Sequence, residues 1–157
     1  MAGEMMMKSM REAISNVMET MFFLPVQIHE KSGTLQEWFS GEGLLSGVTL
    51  SFNGPFEGSS YLLIPASEVK EMTANFLGLP ESEIDEEQKR DTIKEALNMI
   101  AGYMFSLFDK KGAFRLGIPR WMSEDELSHD KLKDLKGDIL FIETEDNHMA
   151  AGINMET

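Results

Sequence analysis

The chain has 157 residues, with 27 acidic and 14 basic side chains, a formal charge of −13, 42% hydrophobic residues and no cysteine. This length predicts one domain over residues 1–157, with a core large enough to need no disulfide or structural metal. The lack of cysteine excludes thiol catalysis, and the negative charge argues against nucleic acid or an anionic membrane as a partner. Because charged residues interrupt the apolar N-terminus and no long apolar segment follows, we expect a soluble cytoplasmic protein.

The first part of the chain predicts a helix followed by strands. Apolar residues recur at spacings of three and four over residues 8–23, which is typical of an amphipathic helix, and the methionines of residues 1–7 are interpreted as its frayed start. One or two strands are expected over residues 26–39, around a turn at Gly33. Residues 44–64 then predict an antiparallel hairpin, because apolar and polar residues alternate over 47–52 and an apolar run over 61–64 follows a glycine-rich turn.

Two helices are expected next. A short one over residues 67–77 has Ser67 as a candidate N-cap and Gly78 after its last turn. An acidic segment then leads into the longest predicted helix, residues 86–108.

The rest of the chain predicts more strands. One is expected over residues 113–118, a polar loop follows over 122–137, and two strands lie over 139–143 and 149–155. This order of elements favours an α+β fold in which helices, including one long helix, pack on a mostly antiparallel sheet.

A helical wheel of the long helix separates an apolar face from a polar row. The apolar face comprises Ile93, Ala96, Leu97, Ile100, Met104 and Leu107, and the opposite row comprises Asp91, Glu95, Asn98 and Gly102. Asparagine and glycine each cost several tenths to about 1 kcal/mol relative to alanine inside a helix. Their presence on successive turns of a strong helix is therefore unusual.

Two interpretations of the polar row are possible. In the first, the row is simply a solvated helix face, which tolerates any polar residue. In the second, the row is displayed to another molecule, and Gly102 leaves a bare patch where that molecule comes close. The amide of Asn98 could then hold a water molecule by accepting and donating hydrogen bonds, while Glu95 could pair with a basic side chain. Spacing alone does not choose between them.

The polar row also carries a family resemblance. The pattern Asp91-x3-Glu95-x2-Asn98, with Gly102 one turn later and Pro119 downstream, is similar to the signature of the CheC/CheX/FliY chemotaxis phosphatases. Pro119 lies somewhat nearer to Asn98 than the family pattern places it. Three further segments resemble the family: residues 18–22, 61–65 and 75–78.

The resemblance implies a CheC-like fold and a phosphatase that acts on a phosphorylated CheY-like response regulator. It implies that Glu95 pairs with a lysine of the regulator and that Asn98 positions the attacking water. Asp91 matches a signature position that is compatible with helix capping or with docking at the edge of the contact, and Gly102 is expected on the docking surface. The aspartyl phosphate and its Mg²⁺ would belong to the regulator, so no cofactor or metal of the chain's own is expected.

The number of signatures points to the CheX branch of this family. The first helix has Glu12 and Asn16 four residues apart and no second Glu-x2-Asn pair, so one site is expected. Resemblance to CheX also implies a homodimer formed through the sheets. The alternative functions are a non-catalytic response-regulator-binding module and an adaptor domain of two-component or chemotaxis signalling.

Overall fold

The computed structural model describes residues 2–30 and 32–156. Its helices are α1 (Ala2–Met21), α2 (Leu35–Trp38), α3 (Ala66–Leu77) and α4 (Glu86–Phe108), with 3-10 helices at Glu81–Glu83 and His129–Asp134. Its strands are β1 (Gln27–His29), β2 (Leu45–Asn53), β3 (Glu57–Pro65), β4 (Arg115–Leu116), β5 (Arg120–Trp121), β6 (Asp138–Glu143) and β7 (His148–Glu156). Among the residues described, no helix combines the length and the apolar character that crossing a membrane requires.

The strands form one antiparallel sheet in the order β1-β6-β7-β3-β2-β4, and β5 also pairs with β2. At its centre Leu62 of β3 lies opposite Val48 of β2 and Ala151 of β7. The sheet therefore places β1 at one edge, and β4 and β5 beside β2 at the other. This arrangement confirms the predicted α+β class.

The three longer helices cover one face of the sheet, which we call the inner face. Helix α4 packs against both α1 and α3 and crosses β2 and β3. Side chains that alternate along the central strands, such as Leu50, Leu62 and Ala151, join the apolar faces of these helices in the main core. Burial of apolar surface on this scale is the main contribution that holds the helical layer to the sheet.

The opposite, outer face of the sheet has a smaller core. Leu63, Phe141 and Ala150 point to this face and pack against Leu35 of α2 and Leu132 of the second 3-10 helix. The buried Tyr61 also lies here, and burial together with the charge of Asp138 raises the pKa of its hydroxyl to about 12. Residues 122–135 thus cover part of the sheet and are not a free polar loop.

Several predicted elements are confirmed. Helix α4 has the predicted bounds, the hairpin of β2 and β3 is antiparallel, and β6 and β7 lie within one residue of their predicted bounds. Gly78 ends α3 in the left-handed region with φ of 68°, where glycine is favoured because it has no Cβ.

Other predictions are wrong. The second strand expected before residue 39 is helix α2, which begins with a capping box formed by Thr34 and Glu37. Ser67 does not cap α3, because its hydroxyl donates to Asn147 at 3.1 Å while Pro65 occupies the cap position without a side-chain bond. Helix α1 continues through the methionine cluster, where Met6 is fully buried and part of the core.

Candidate functional site

The start of α4 is fixed by a capping box. The Asp85 carboxylate accepts a hydrogen bond from the Gln88 backbone at 2.8 Å, and the Gln88 side chain accepts one from the Asp85 backbone at 2.9 Å. These bonds satisfy backbone N–H groups that the first turn of a helix leaves without partners. The polar row of α4 therefore begins one turn after a well-defined helix end.

The other end of α4 is held by aromatic packing. The Phe105 ring lies 4.8 Å from that of Phe114 and 5.1 Å from that of Phe52. Asp109, directly after the helix, accepts hydrogen bonds from the backbone of Ala113 and Phe114 at 3.0 and 2.9 Å. The segment after α4 thus packs against the end of the helix, and both ends of α4 are anchored.

The structure brings the predicted site residues together on one helix face. Asp91, Glu95 and Asn98 are exposed, whereas the core side chains between them, such as Ile93 and Leu97, are fully buried. Residues three or four apart on a helix have Cβ atoms about 5 to 6 Å from each other. The Glu95 carboxylate and the Asn98 amide can therefore contact the same small group of a docking molecule.

The space beside Asn98 is open. A Cβ added at Gly102 meets no atom within 4 Å, so the glycine does not serve close packing inside the chain. Gly102 lies one turn after Asn98 on the same face. The missing side chain leaves the helix backbone accessible there, which suits the approach of another surface and agrees with the docking interpretation of the row.

A groove adjoins the start of the polar row. It has a volume of about 580 Å³ and lies where α4 passes the β5 edge of the sheet, with Arg90, Arg120 and Trp121 in its lining. The Arg90 guanidinium stands 5.4 Å from the centre of the Trp121 ring, a cation–π distance.

Arg120 is paired inside this groove region. Its guanidinium donates two hydrogen bonds to the Glu126 carboxylate, at 2.9 and 3.0 Å. These bonds, with one from the Ser123 backbone, lower the pKa of Glu126 to about 2. The sequence prediction does not include Arg90 or Trp121, although the spacing of Arg90, Lys94 and Asn98 at intervals of four is visible in the sequence.

Helix α1 does not repeat the site. Glu12 and Asn16 are both exposed there, but they are four residues apart. No group of three or more histidine, aspartate or glutamate side chains within residues 2–30 and 32–156 has the arrangement of a metal site. What the described chain offers is a carboxylate and an amide on a rigid helix.

Comparison with known proteins gives one family match and several structures of the same fold. The family model described as "Chemotaxis phosphatase CheX" matches residues 46–143, which include β2, β3, α3, α4 and the whole polar row. A comparison with curated protein sequences finds no match.

Solved structures with the same fold are distant in sequence. CheX from Vibrio vulnificus is 19% identical, with a TM-score of 0.70 and coverage of 96% of either chain. A CheX–CheY–BeF3–Mg²⁺ complex from Borrelia burgdorferi is 15% identical, with a TM-score of 0.70 and coverage of 96% of this chain and 97% of the other. A chemotactic CheC-like protein from Shewanella oneidensis is 21% identical, with a TM-score of 0.67 and coverage of 97% and 98%. The CheC-like fold is thereby established.

Proposed function

The chain belongs to the CheX family of chemotaxis phosphatases, and on that premise we propose that it accelerates the dephosphorylation of a phospho-aspartyl CheY-like response regulator. The observation that carries the proposal is the exposed Glu95–Asn98 pair, with open space at Gly102, on the helix that the family model covers. The CheX protein of the Borrelia burgdorferi complex, which shares this fold, was solved together with CheY.

In the proposed mechanism Asn98 holds the attacking water. Its amide oxygen accepts a hydrogen bond from the water while its NH₂ group donates to the water or to a phosphoryl oxygen. The water oxygen attacks phosphorus as the bond to the aspartyl oxygen breaks, which yields inorganic phosphate and a free carboxylate. Because phosphoryl transfer depends mostly on positioning and charge stabilisation, one well-placed amide can account for a large acceleration.

Glu95 has the role of orienting the regulator. A carboxylate at this position can form a charge-assisted hydrogen bond with a lysine beside the regulator's phosphorylation site. Asp91 lies one turn below Glu95 and would contact the edge of the same surface, while Gly102 would let the regulator's backbone approach. The Mg²⁺ that assists phosphoryl transfer would come with the regulator and neutralise charge on the phosphate.

Two further parts of the proposal rest on family resemblance. The chain would work in the cytoplasm, and it would form a homodimer through its sheet. The outer sheet face beyond Tyr61 supplies a partly open polar surface for such contact, with Ser51, Ser59 and Asn154 in register. The mass of the chain in solution, measured by light scattering, tests the dimer.

The direct test is a dephosphorylation assay. Each CheY-like regulator of the host is phosphorylated, and its phosphate loss is followed with no addition, with the wild-type chain and with Asn98→Ala. We expect the wild type to accelerate at least one regulator, and Asn98→Ala to return that regulator to its spontaneous rate. The variant should fold normally, because Asn98 is exposed.

The same assay separates the alternative functions. Binding of a phosphorylated regulator without acceleration would replace the proposal with a non-catalytic binding module. If neither Glu95→Ala nor Asn98→Ala changed binding or hydrolysis, the polar row would be a solvated face and the chain an adaptor. Equal rates for Asn98→Ala and the wild type would remove the assignment of Asn98.

A further inference from the structure

We propose that Arg90 and Lys94 form a cationic flank that docks acidic side chains of the phosphorylated regulator next to Asn98 and thereby selects the regulator. This inference rests on the proposed function and deepens it, because it concerns the same helix and the same partner. The evidence is the position of these two side chains, the lack of a salt bridge from either of them to a carboxylate of the described residues, and the groove beside Arg90.

The flank leads directly to Asn98. Arg90 and Lys94 lie two turns and one turn before Asn98, and each step of four residues turns about 40° around α4, from the β5 side where Arg90 contacts Trp121 toward the exposed face that carries Asn98. Each such step rises about 6 Å, and Arg90 therefore lies about 12 Å from Asn98 along the helix axis. If the regulator's phosphorylation site lies over Asn98, side chains at the edge of that site can reach Arg90.

Neither Arg90 nor Lys94 forms a salt bridge within the described residues. The salt bridges of residues 2–30 and 32–156 join Arg11 to Glu30, His29 to Glu143, Lys89 to Glu86, and Arg120 to Glu126. Arg90 is exposed and Lys94 is half-buried, and neither belongs to any of these pairs. Both cations are available to a carboxylate from outside.

The groove gives Arg90 a fixed position. Its guanidinium lies over the Trp121 ring, which limits the conformations of a long side chain and lowers the entropy that binding would cost. Of the acidic side chains in the lining, Glu86 is paired with Lys89 at 3.0 Å, and Glu124 is exposed in the segment after β5. Arg120 is held by Glu126, so of the described residues that line the groove Arg90 is the cation without a salt bridge.

The chemistry of the partner explains why a cationic flank would matter. A regulator that binds Mg²⁺ beside an aspartyl phosphate holds the ion with one or two carboxylates as well as phosphate oxygens and water, so acidic side chains lie at that site. The present chain carries a net charge of −13, and two of its acidic residues, Asp91 and Glu95, lie at the proposed contact. Arg90 and Lys94 would offset this repulsion locally, and charges at the edge of an interface mainly affect association rate and choice of partner.

The experiment uses three charge reversals in the full chain: Arg90→Glu, Lys94→Glu and, as a matched control, Lys8→Glu. Lys8 is also exposed and lies beside Glu30 and Asp138, near the β1 edge of the sheet and far from the groove. The substrate is the host regulator that the wild type dephosphorylates fastest. We expect each flank variant to raise KM about tenfold at low salt while kcat stays within about twofold, and Lys8→Glu to change neither.

A second readout is binding to the same regulators carrying beryllofluoride and Mg²⁺, a stable mimic of the aspartyl phosphate. The flank variants should weaken this binding, and high salt should reduce the difference from the wild type. Lys94→Glu keeps the Arg90–Trp121 contact, so it separates a charge effect from any local loss of structure near β5.

The outcomes distinguish the flank from the proposed function. Unchanged KM and affinity in both flank variants would overturn this inference while leaving the phosphatase assignment intact. A wild type that binds a regulator in a flank-dependent way but does not accelerate phosphate loss would support the flank and remove the catalytic proposal. If no host regulator binds or is dephosphorylated, both proposals fail.

Discussion

Helices α1 and α4 pack against each other on the same sheet face but present different polar residues to solvent. Each buries an apolar stripe, with Met10, Ile14 and Met18 on α1 matched by Ile93 and Leu97 on α4. Each also displays one glutamate and one asparagine close together. Both helices therefore help to form the core and expose the same two residue types. The differences between their exposed faces show which features besides residue type a docking site needs.

Spacing is the first difference between the two faces. A step of three residues on α4 turns Asn98 about 60° to one side of Glu95, whereas a step of four on α1 turns Asn16 about 40° to the other side of Glu12. The relation of amide to carboxylate is thus reversed.

The second difference is the residue one turn after the asparagine. On α4 it is Gly102, with open space around it, but on α1 it is Thr20, whose hydroxyl donates to the Asn16 carbonyl at 2.6 Å. The Thr20 side chain thus occupies on α1 the position that Gly102 leaves open on α4. Similar residues on similar helices therefore need not form similar sites.

Charge reversal at the two glutamates should give the largest contrast. Glu95→Lys removes the expected partner of the regulator's lysine and replaces it with a like charge, so we expect kcat/KM to fall at least about 100-fold. Glu12→Lys makes the same change on α1 and should leave kcat/KM unchanged. Steady-state phosphate release measures both, and equal losses would show that general charge, not the α4 site, determines activity.

A buried carboxyl should behave differently from the exposed ones on either long helix. Glu68 of α3 is fully buried and accepts a hydrogen bond from the Asn147 amide at 3.0 Å, while its other oxygen has no hydrogen-bond partner among residues 2–30 and 32–156. Burial is the main cause that raises its pKa to about 7, and the neighbouring carboxyl of Glu71 acts in the same direction. The hydrogen bond from the Asn147 amide partly opposes them.

The raised pKa predicts a stability difference that depends on pH. The folded state holds its proton more tightly than the unfolded state, so the stability present below about pH 4.5 is lost as the pH rises through about 7. Glu68→Gln cannot ionise and should be more stable than the wild type by about 2 to 3 kcal/mol above pH 7.

Urea unfolding from about pH 5 to about pH 8 measures this difference. The gap between Glu68→Gln and the wild type should widen with pH and then level off. A gap that stayed constant over this range would contradict the assignment. Dephosphorylation should not change, because Glu68 lies on α3 beside the β6–β7 turn and not on the docking row.

Filling the bare patch on α4 should have a smaller effect on activity. Gly102→Thr copies the residue that α1 carries one turn after its asparagine, and we expect it to lower kcat/KM about tenfold by keeping the regulator away from Asn98. Gly102→Ala should instead raise the free energy of unfolding by about 0.5 to 1 kcal/mol, since alanine favours the helix and the Cβ meets no other atom.

The pair of variants therefore separates folding from docking. Thermal unfolding and phosphate release are measured on both proteins. A stable Gly102→Thr variant with full activity would show that the open space beside Asn98 has no part in docking.

The smallest expected effect is on the exposed face of α1. Asn16→Ala should leave the phosphatase rate unchanged, because α1 is not expected to dock the regulator. The variant should also fold normally, because Thr20 bonds the backbone carbonyl of Asn16 and not its side-chain amide. Loss of activity comparable to that of Asn98→Ala would reveal a second site on α1 and contradict the single-site prediction. Phosphate release from the same regulator checks this outcome.

Local patterns in the sequence were enough to predict the long helix and most of the strands. The apolar stripe and acidic start of residues 86–108 gave the bounds of α4, because helical periodicity over many turns has no good alternative. Alternation in β2 and the apolar run in β3 identified a hairpin whose inner-face side chains enter the main core. The row of Asp91, Glu95, Asn98 and Gly102 followed from the same periodicity, and its roles still depend on experiment.

Tertiary packing decided what local patterns could not. The sequence predicts a polar loop over residues 122–137, but a few apolar side chains such as Leu127 and Leu132 fix this segment on the outer sheet face. The two-residue strand β5 forms only because β2 offers a partner, and that pairing brings Trp121 under Arg90. The sequence by itself determined the helix and its polar row, because both depend on near neighbours. The contact of Arg90 with Trp121 needed the fold, because these two residues lie some thirty positions apart and meet only at the edge of the sheet.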